Sequence, residues 1–288
     1  CKHQATADSL GRASIPEGAA MKQYEPIFSI GCMNPPQDRL RSKFGGLPWG
    51  LSRNHWPKGM SLLAQLVHEP PRIDLGGDYV LHLWHWSDPE QYEDPPDYRV
   101  DARHALLLPR SQLGRGLIPP PQGTRLFGEV WIEGWREFDD NRPDDWLPLF
   151  YSSQGFREAS SREGGCIEYG QGLRTKFGGQ PCWSVAGPDA IDRLPGRIPF
   201  LFQTDGWIRL PGPMPDYQKI GATRIEWDNQ KQKILKPDRP NPAAPWALME
   251  GIHKETIAII ADFASDGSAY VFLDRSTTPP TPRWTWSR

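Results

Sequence analysis

The side chains of this chain that could do chemistry fall into two acidic segments, two lysine-glycine loops and a few histidines and cysteines. Asp88, Glu90, Glu93, Asp94 and Asp97 crowd one stretch. Asp139, Asp140, Asp144 and Asp145 crowd another, flanked by Trp135, Phe138 and Trp146. Carboxylates interleaved with large rings suit capture of a basic cleft on another protein: charge speeds encounter and buried rings hold the complex. The same runs also read as plain solvated loops. Partner binding is assigned to the nine carboxylates together with Trp135 and Trp146. His82 and His85 lie three apart on an expected strand, so they point to opposite faces and cannot share a metal in regular geometry. His104 from a neighbouring strand could join one of them. Cys166 and Cys182 lack close ligand spacing, and a disulfide is their functional alternative. Neither a nucleophile elbow, a paired-histidine zinc motif nor a Walker loop occurs. The expectation is a protein that is not an enzyme, with no catalytic residue, metal or cofactor.

The lysine-glycine loops are the same motif met twice. Lys43, Phe44, Gly45, Gly46 and Pro48 recur as Lys176, Phe177, Gly178, Gly179 and Pro181, with a hydroxyl residue before each (Ser42, Thr175) and a tryptophan behind each (Trp49, Trp183). Gln65 in Leu62-Leu63-Ala64-Gln65-Leu66 follows the first copy, and Gln203 in Phe200-Leu201-Phe202-Gln203-Thr204 follows the second. A phosphate cradle of glycine N–H groups with a lysine counter-charge is one reading, but neither copy has the spacing of a phosphate loop or opens a helix. The architectural reading is preferred: paired glycines permit positive φ, phenylalanine plugs a core and proline fixes the exit. The two glutamines read as core residues with satisfied hydrogen bonds.

The elements that must position these residues are short strands. Proline (31) and glycine (28) exceed their usual combined share and are spread along all 288 residues, which favours strands joined by turns over long helices. Strands are expected over 62–66, 79–86, 103–108, 126–135, 200–204, 207–210, 257–263, 270–273 and 284–286, with a hairpin across Asp228-Asn229. The segment 246–254 reads as a helix. Residues 1–20 read as a tether and 21–288 as one domain, with one half over about 21–120 and the other over about 121–288. The fold expected is β-rich α+β, mostly antiparallel with few helices, each half starting at a Lys-Phe-Gly-Gly loop.

A net charge of −2 and no basic run argue against nucleic acid as a partner. No stretch reaches the roughly 20 apolar residues of a membrane helix. Cys1 followed by polar Lys2, His3 and Gln4 reads as the mature start of a bacterial lipoprotein, so Cys1 is the expected lipidation site and the lipid the only membrane contact. With Lys2 in second place, a periplasmic location at the outer membrane is expected. Cys32, Cys166 and Cys182 then remain, as one disulfide and a thiol or as three thiols.

Ser-Lys-Phe-Gly-Gly-Leu-Pro at 42–48 with Trp56-Pro57 and Leu63-Ala64-Gln65 resembles the YwqG-like family of bacterial proteins of unassigned activity. So do Thr-Lys-Phe-Gly-Gly-Gln-Pro at 175–181 with Phe200-Leu201-Phe202-Gln203, and the ending Tyr270-Val271-Phe272-Leu273 with Trp284-Thr285-Trp286-Ser287. The resemblance runs from about residue 43 to the C-terminus and is thin over 88–174. It implies a β-rich domain of two similar halves and no known catalytic residue. Some relatives are encoded beside secreted toxins, which implies an immunity role. The lipoprotein-like start departs from the cytoplasmic pattern of the family. Three functions are compatible with these residues. The first is an immunity protein that blocks an envelope toxin, such as a phospholipase or wall hydrolase delivered by type VI secretion. The second is a lipoprotein that stacks a sugar or peptidoglycan fragment on some of its 13 tryptophans. The third is a hydrolase with an unrecognised site. The first, with a cognate toxin as partner, fits the acidic-aromatic segments best.

Overall fold

The computed structural model describes residues 21–30, 40–86, 103–121, 124, 126–140, 175–181, 198–210, 223–224, 226–228, 233–235, 246–250, 256–260, 263 and 268–287. The strands of the main sheet are β1 (Lys22–Ile30), β2 (Lys43–Phe44), β3 (Met60–Val67), β4 (Tyr79–Trp86), β5 (Arg103–Pro109), β6 (Val130–Asp139), β7 (Lys176–Gly178) and β8 (Phe200–Asp205). Then come β9 (Trp207–Leu210), β10 (Thr223–Arg224), β11 (Glu226–Asp228), β12 (Lys233–Leu235), β13 (Trp246–Glu250) and β14 (Thr256–Ile259). The chain rejoins the main sheet as β15 (Ser268–Asp274) and β16 (Thr281–Ser287). Among the described residues, helix is limited to 3-10 turns at Arg53–His55 and Arg110–Gln112.

Ten strands form one sheet in the order β16-β15-β8-β7-β1-β6-β2-β3-β4-β5, every pair antiparallel. β16 comes round beside β5, so the sheet is a nearly closed barrel. The order places β1 between β6 and β7, and β6 between β1 and β2. A second sheet, β10-β13-β14-β9, is built from the segment between β8 and β15, and β11 with β12 makes a separate hairpin. Both sheets contribute to one apolar core. Leu81, Leu83, Ala64 and Val130 from the barrel lie in the same cluster as Ile208, Ala258 and Phe263. This is one mostly antiparallel β-rich domain.

The pairing around the two Lys-Phe-Gly-Gly copies is the same in register. Lys43 lies opposite Gln65 and Lys176 opposite Gln203. One residue bulges out of each neighbouring ladder, Leu63 on β3 and Leu201 on β8. Gln65 then faces His82, and Gln203 faces Tyr270. Phe44 and Phe177 are fully buried and meet in the barrel centre: their ring centroids are 6.5 Å apart, and Phe202 stacks on Phe177 at 4.8 Å. Phenylalanine as core plug is therefore what both copies use.

The helix expected over 246–254 is a strand instead, because Leu248, Met249 and Glu250 pair with β14 while β10 closes the other side. Pairing on both edges overrides the helix preference of Ala, Leu, Met and Glu. The two strands expected to pair around Asp228-Asn229 do so, with Trp227 opposite Ile234, but Asp228 belongs to β11 opposite Lys233, and residues 229–232 lie outside the described residues.

Candidate functional site

Each Gly-Gly turn needs two successive residues at positive φ. The values are 64° and 67° at Gly45 and Gly46, and 66° and 65° at Gly178 and Gly179. A Cβ on Gly45 would sit 1.9 Å from the Gly128 carbonyl oxygen, so the chain crossing there admits no side chain. In the first copy the turn N–H groups are engaged by backbone: Gly45 N–H donates to the Leu63 carbonyl at 2.9 Å and Gly46 N–H to that of Phe127 at 3.1 Å. A phosphate cradle would need those donors, and they point into the fold.

The lysine of the first copy is equally committed. Lys43 is fully buried, and its Nζ donates to Glu129 Oε2 at 2.7 Å and to the Leu47 carbonyl. The ammonium also lies 4.8 Å from the centroid of the Trp131 ring, within reach of a cation–π attraction. The Glu129 side chain is 14% exposed, so this ion pair is almost wholly desolvated. Gln65 beside it is satisfied at both ends, its Oε1 accepting Trp49 N–H at 2.8 Å and its Nε2 donating to the Arg41 carbonyl at 3.1 Å. His82, next across the sheet, is fully buried. Burial pushes its pKa down to about 3, and the Lys43 ammonium adds in the same direction, so the ring is neutral. In the second copy, Lys176 Nζ donates to Gln23 Oε1 at 3.1 Å. Gln23 precedes the residue facing Phe177 as Glu129 precedes the residue facing Phe44. The second loop has a carboxylate of its own: Asp140 Oδ2 accepts Gln180 N–H at 2.6 Å.

Of the residues assigned to partner binding, three are described. Asp139 is exposed at the end of β6, where Lys22 bridges it at 2.6 Å and Glu137 at 3.2 Å. Asp140 is buried, holding Gln180 with its carboxylate while its own N–H donates to the Met21 carbonyl at 2.7 Å. Trp135 is half-buried against the core, edge-on to Phe177 at 5.1 Å, and its Nε1–H donates to Glu69 Oε1 at 3.1 Å. Asp140 and Trp135 thus build the barrel end, and Asp139 faces solvent. Asp88, Glu90, Glu93, Asp94, Asp97, Asp144, Asp145 and Trp146 lie outside the described residues, as do Cys1, Cys32, Cys166 and Cys182. Because neighbouring strands alternate in direction from β6 through β2 and β3 to β4, β6 and β4 end at opposite ends of the barrel. The two acidic segments are therefore rooted at opposite ends.

The histidines part as their spacing requires. His82 lies on the Gln65 side of β4, whereas His85 packs inside the barrel end, 5.0 Å from Phe263 and about 6 Å from Trp284 and Trp286. His104 is exposed and opposite Trp84. Among the described residues no three His, Cys, Asp or Glu side chains converge as a metal site would need. Sequence reasoning missed Glu129 and Asp205. Glu129 carried a usable signal, a carboxylate set between Phe127 and Trp131, which calls for a buried cation. Asp205 before Gly206 reads simply as a turn.

The resemblance to the YwqG-like family rests on its motif residues. No protein-family model matches this chain, and a search of curated proteins returns no match.

Proposed function

We propose that the chain is an immunity protein: a barrel of two similar halves that binds a secreted antibacterial toxin acting in the envelope and blocks it sterically, without turnover. The halves are supported by register. Lys43 with Gln65, the bulge at Leu63 and the plug Phe44 match Lys176 with Gln203, Leu201 and Phe177. On this reading the first strand of each half, β1 or β6, pairs with the Lys-Phe-Gly strand of the other half. The halves interlock, which gives the stiff scaffold a blocking protein needs.

One observation carries the functional reading. At the end of β6 Asp139 and Glu137 face solvent around Lys22, with the exposed Arg136 paired to Glu25 beside them, and the chain runs on from there through Arg142 to Asp144, Asp145 and Trp146. The groups that could otherwise react, Lys43 with Glu129 and Asp140 with the Gln180 N–H, are paired with one another inside. An excess of carboxylates outside steers a basic partner. The sugar-binding alternative is left with fewer rings, since Trp56, Trp84, Trp131 and Trp284 are buried in the fold, while Trp49, Trp86, Trp135, Trp207 and Trp286 are partly exposed.

The test is association kinetics with an envelope-acting toxin that the chain neutralises. Reversing Asp139, Asp144 and Asp145 to lysine, with Asp140 left intact, is expected to slow association and weaken its salt dependence. Unchanged rates in the folded variant would move the interface off this end of the barrel.

A further inference from the structure

Residues 40–68 and 102–128 contain eight lysines and arginines and no aspartate or glutamate, in a chain whose acidic residues outnumber its basic ones. The fold joins these two stretches as a cap over β3 and β4. An isolated antiparallel bridge pairs Trp49 with Leu117. Next to it, Gly50 N–H donates to the Gly116 carbonyl at 3.0 Å, and the Gly50 carbonyl accepts Gly114 N–H at 2.7 Å. On the inner side of the cap, Leu51, Leu113 and Ile118 pack with Leu62 and Trp84 in an apolar cluster of their own. Leu81 and Leu83, which alternate with Trp84 along β4, belong to the barrel core, so the cap lies on the outside of the barrel.

Trp49 and Leu117 stay out of that cluster. Residues opposite each other in an antiparallel bridge project to the same side, so the pair looks outward together. Trp49 is partly exposed, and Leu117, at 40%, is the most exposed large apolar side chain among the described residues. A Cβ on Gly116 would meet nothing within 4 Å, so the tip that carries Leu117 stands clear of the rest of the fold. Arg53, Lys58 and Arg115 on the same cap are exposed, and among the described residues none of the three bridges a carboxylate. The cations Lys22, Arg41, Arg72, Arg136 and Arg275 elsewhere on the surface each do.

We propose that this cap is a membrane-docking face, on which Arg53, Lys58 and Arg115 meet the headgroups of an anionic lipid bilayer while Leu117 and Trp49 enter the boundary between headgroups and acyl chains. The charges are complementary to such a surface, and they carry no internal carboxylate that would have to be displaced. Tryptophan settles at the headgroup level because its ring is apolar and its N–H polar, and a leucine beside it adds apolar area at the same depth. A phosphate backbone would attract the same three cations, but an aliphatic tip gives nucleic acid nothing to stack on. The face adds a protein-surface contact to the lipid expected at Cys1, and the proposal does not depend on the immunity reading.

Vesicle flotation with the unacylated full chain tests this, using phosphatidylcholine vesicles with and without about 30% phosphatidylglycerol at salt from about 0.1 to about 0.5 M. The chain is expected to float with the anionic vesicles at low salt, to be released at high salt, and to leave the neutral vesicles alone. Each cation near such a surface is worth about fivefold in binding, so the triple variant Arg53→Gln, Lys58→Gln and Arg115→Gln should partition about a hundredfold more weakly. Leu117→Ser should also weaken partitioning, with the salt dependence unchanged. The charge-matched control Arg72→Gln, Arg136→Gln and Arg275→Gln, checked for folding by circular dichroism like the others, should bind as the unaltered chain does. Flotation with neither vesicle, or equally with both, would overturn the proposal. So would an equal loss in the two triple variants, or a DNA duplex that binds the chain in preference to the anionic vesicles.

Discussion

Removing the Glu129 carboxylate should expose how the first Gly-Gly loop is held. Lys43 is fully buried and Glu129 nearly so, with Nζ and Oε2 2.7 Å apart. In Glu129→Ala the ammonium stays in the interior without its carboxylate, beside the Leu47 carbonyl and the Trp131 ring. Breaking a buried pair in this way costs about 3–5 kcal/mol, because an uncompensated charge remains. Replacing both partners removes that charge, so Lys43→Met with Glu129→Ala should recover at least about 1 kcal/mol of the loss. Urea unfolding of both variants at pH 7, followed by circular dichroism, gives the comparison, with equal m-values confirming that the unfolding transitions are alike. A Glu129→Ala cost below about 1 kcal/mol would refute the reasoning, as would a double variant no more stable than the single one.

His82 has a folded pKa of about 3, well below its value in an unfolded chain, so its neutral form stabilises the fold at pH 7 and that contribution is lost as pH falls. At about 1.4 kcal/mol per pH unit once below the unfolded pKa, lowering pH from 6.5 to 4.5 should cost the unaltered chain about 2 kcal/mol more than His82→Gln, measured by urea unfolding at each pH. Asp205 has the opposite sign: its pKa is raised to about 7, so its contribution is present at low pH and is lost as pH rises. Asp205→Asn should therefore gain about 3 kcal/mol on the unaltered chain between pH 5 and pH 8. Trp135→Ala is a core truncation that should cost about 3–5 kcal/mol in thermal or urea unfolding, whereas Asp139→Lys should change stability little.

The parts of the fold legible in the sequence are those set by local chemistry. Paired glycines at positive φ, a phenylalanine plug and a glutamine in an apolar run mean the same thing in both copies, so the matching registers of Lys43–Gln65 and Lys176–Gln203 follow from the motif. Long-range pairing was not legible. Nothing near β1 says that it will lie between β6 and β7, because that depends on strands more than a hundred residues away. Trp246 to Glu250 carries helix-forming residues, and only its two sheet neighbours make it a strand. The acidic run at 139–145 looks uniform as a sequence. One step along β6 nevertheless separates Asp139 in solvent from Asp140 under the second Gly-Gly loop, a difference made by Met21 and Gln180.

The central functional claim is blockade without turnover, and stoichiometry tests it most directly. Titrating a neutralised toxin's activity with the purified chain should give a sharp end point at one chain per toxin. The end point should stay in place when incubation is lengthened, and it should come with a stable complex on size-exclusion chromatography. Loss of toxin activity at a small fraction of one equivalent, growing with time, would mean that the chain acts catalytically and would contradict the account.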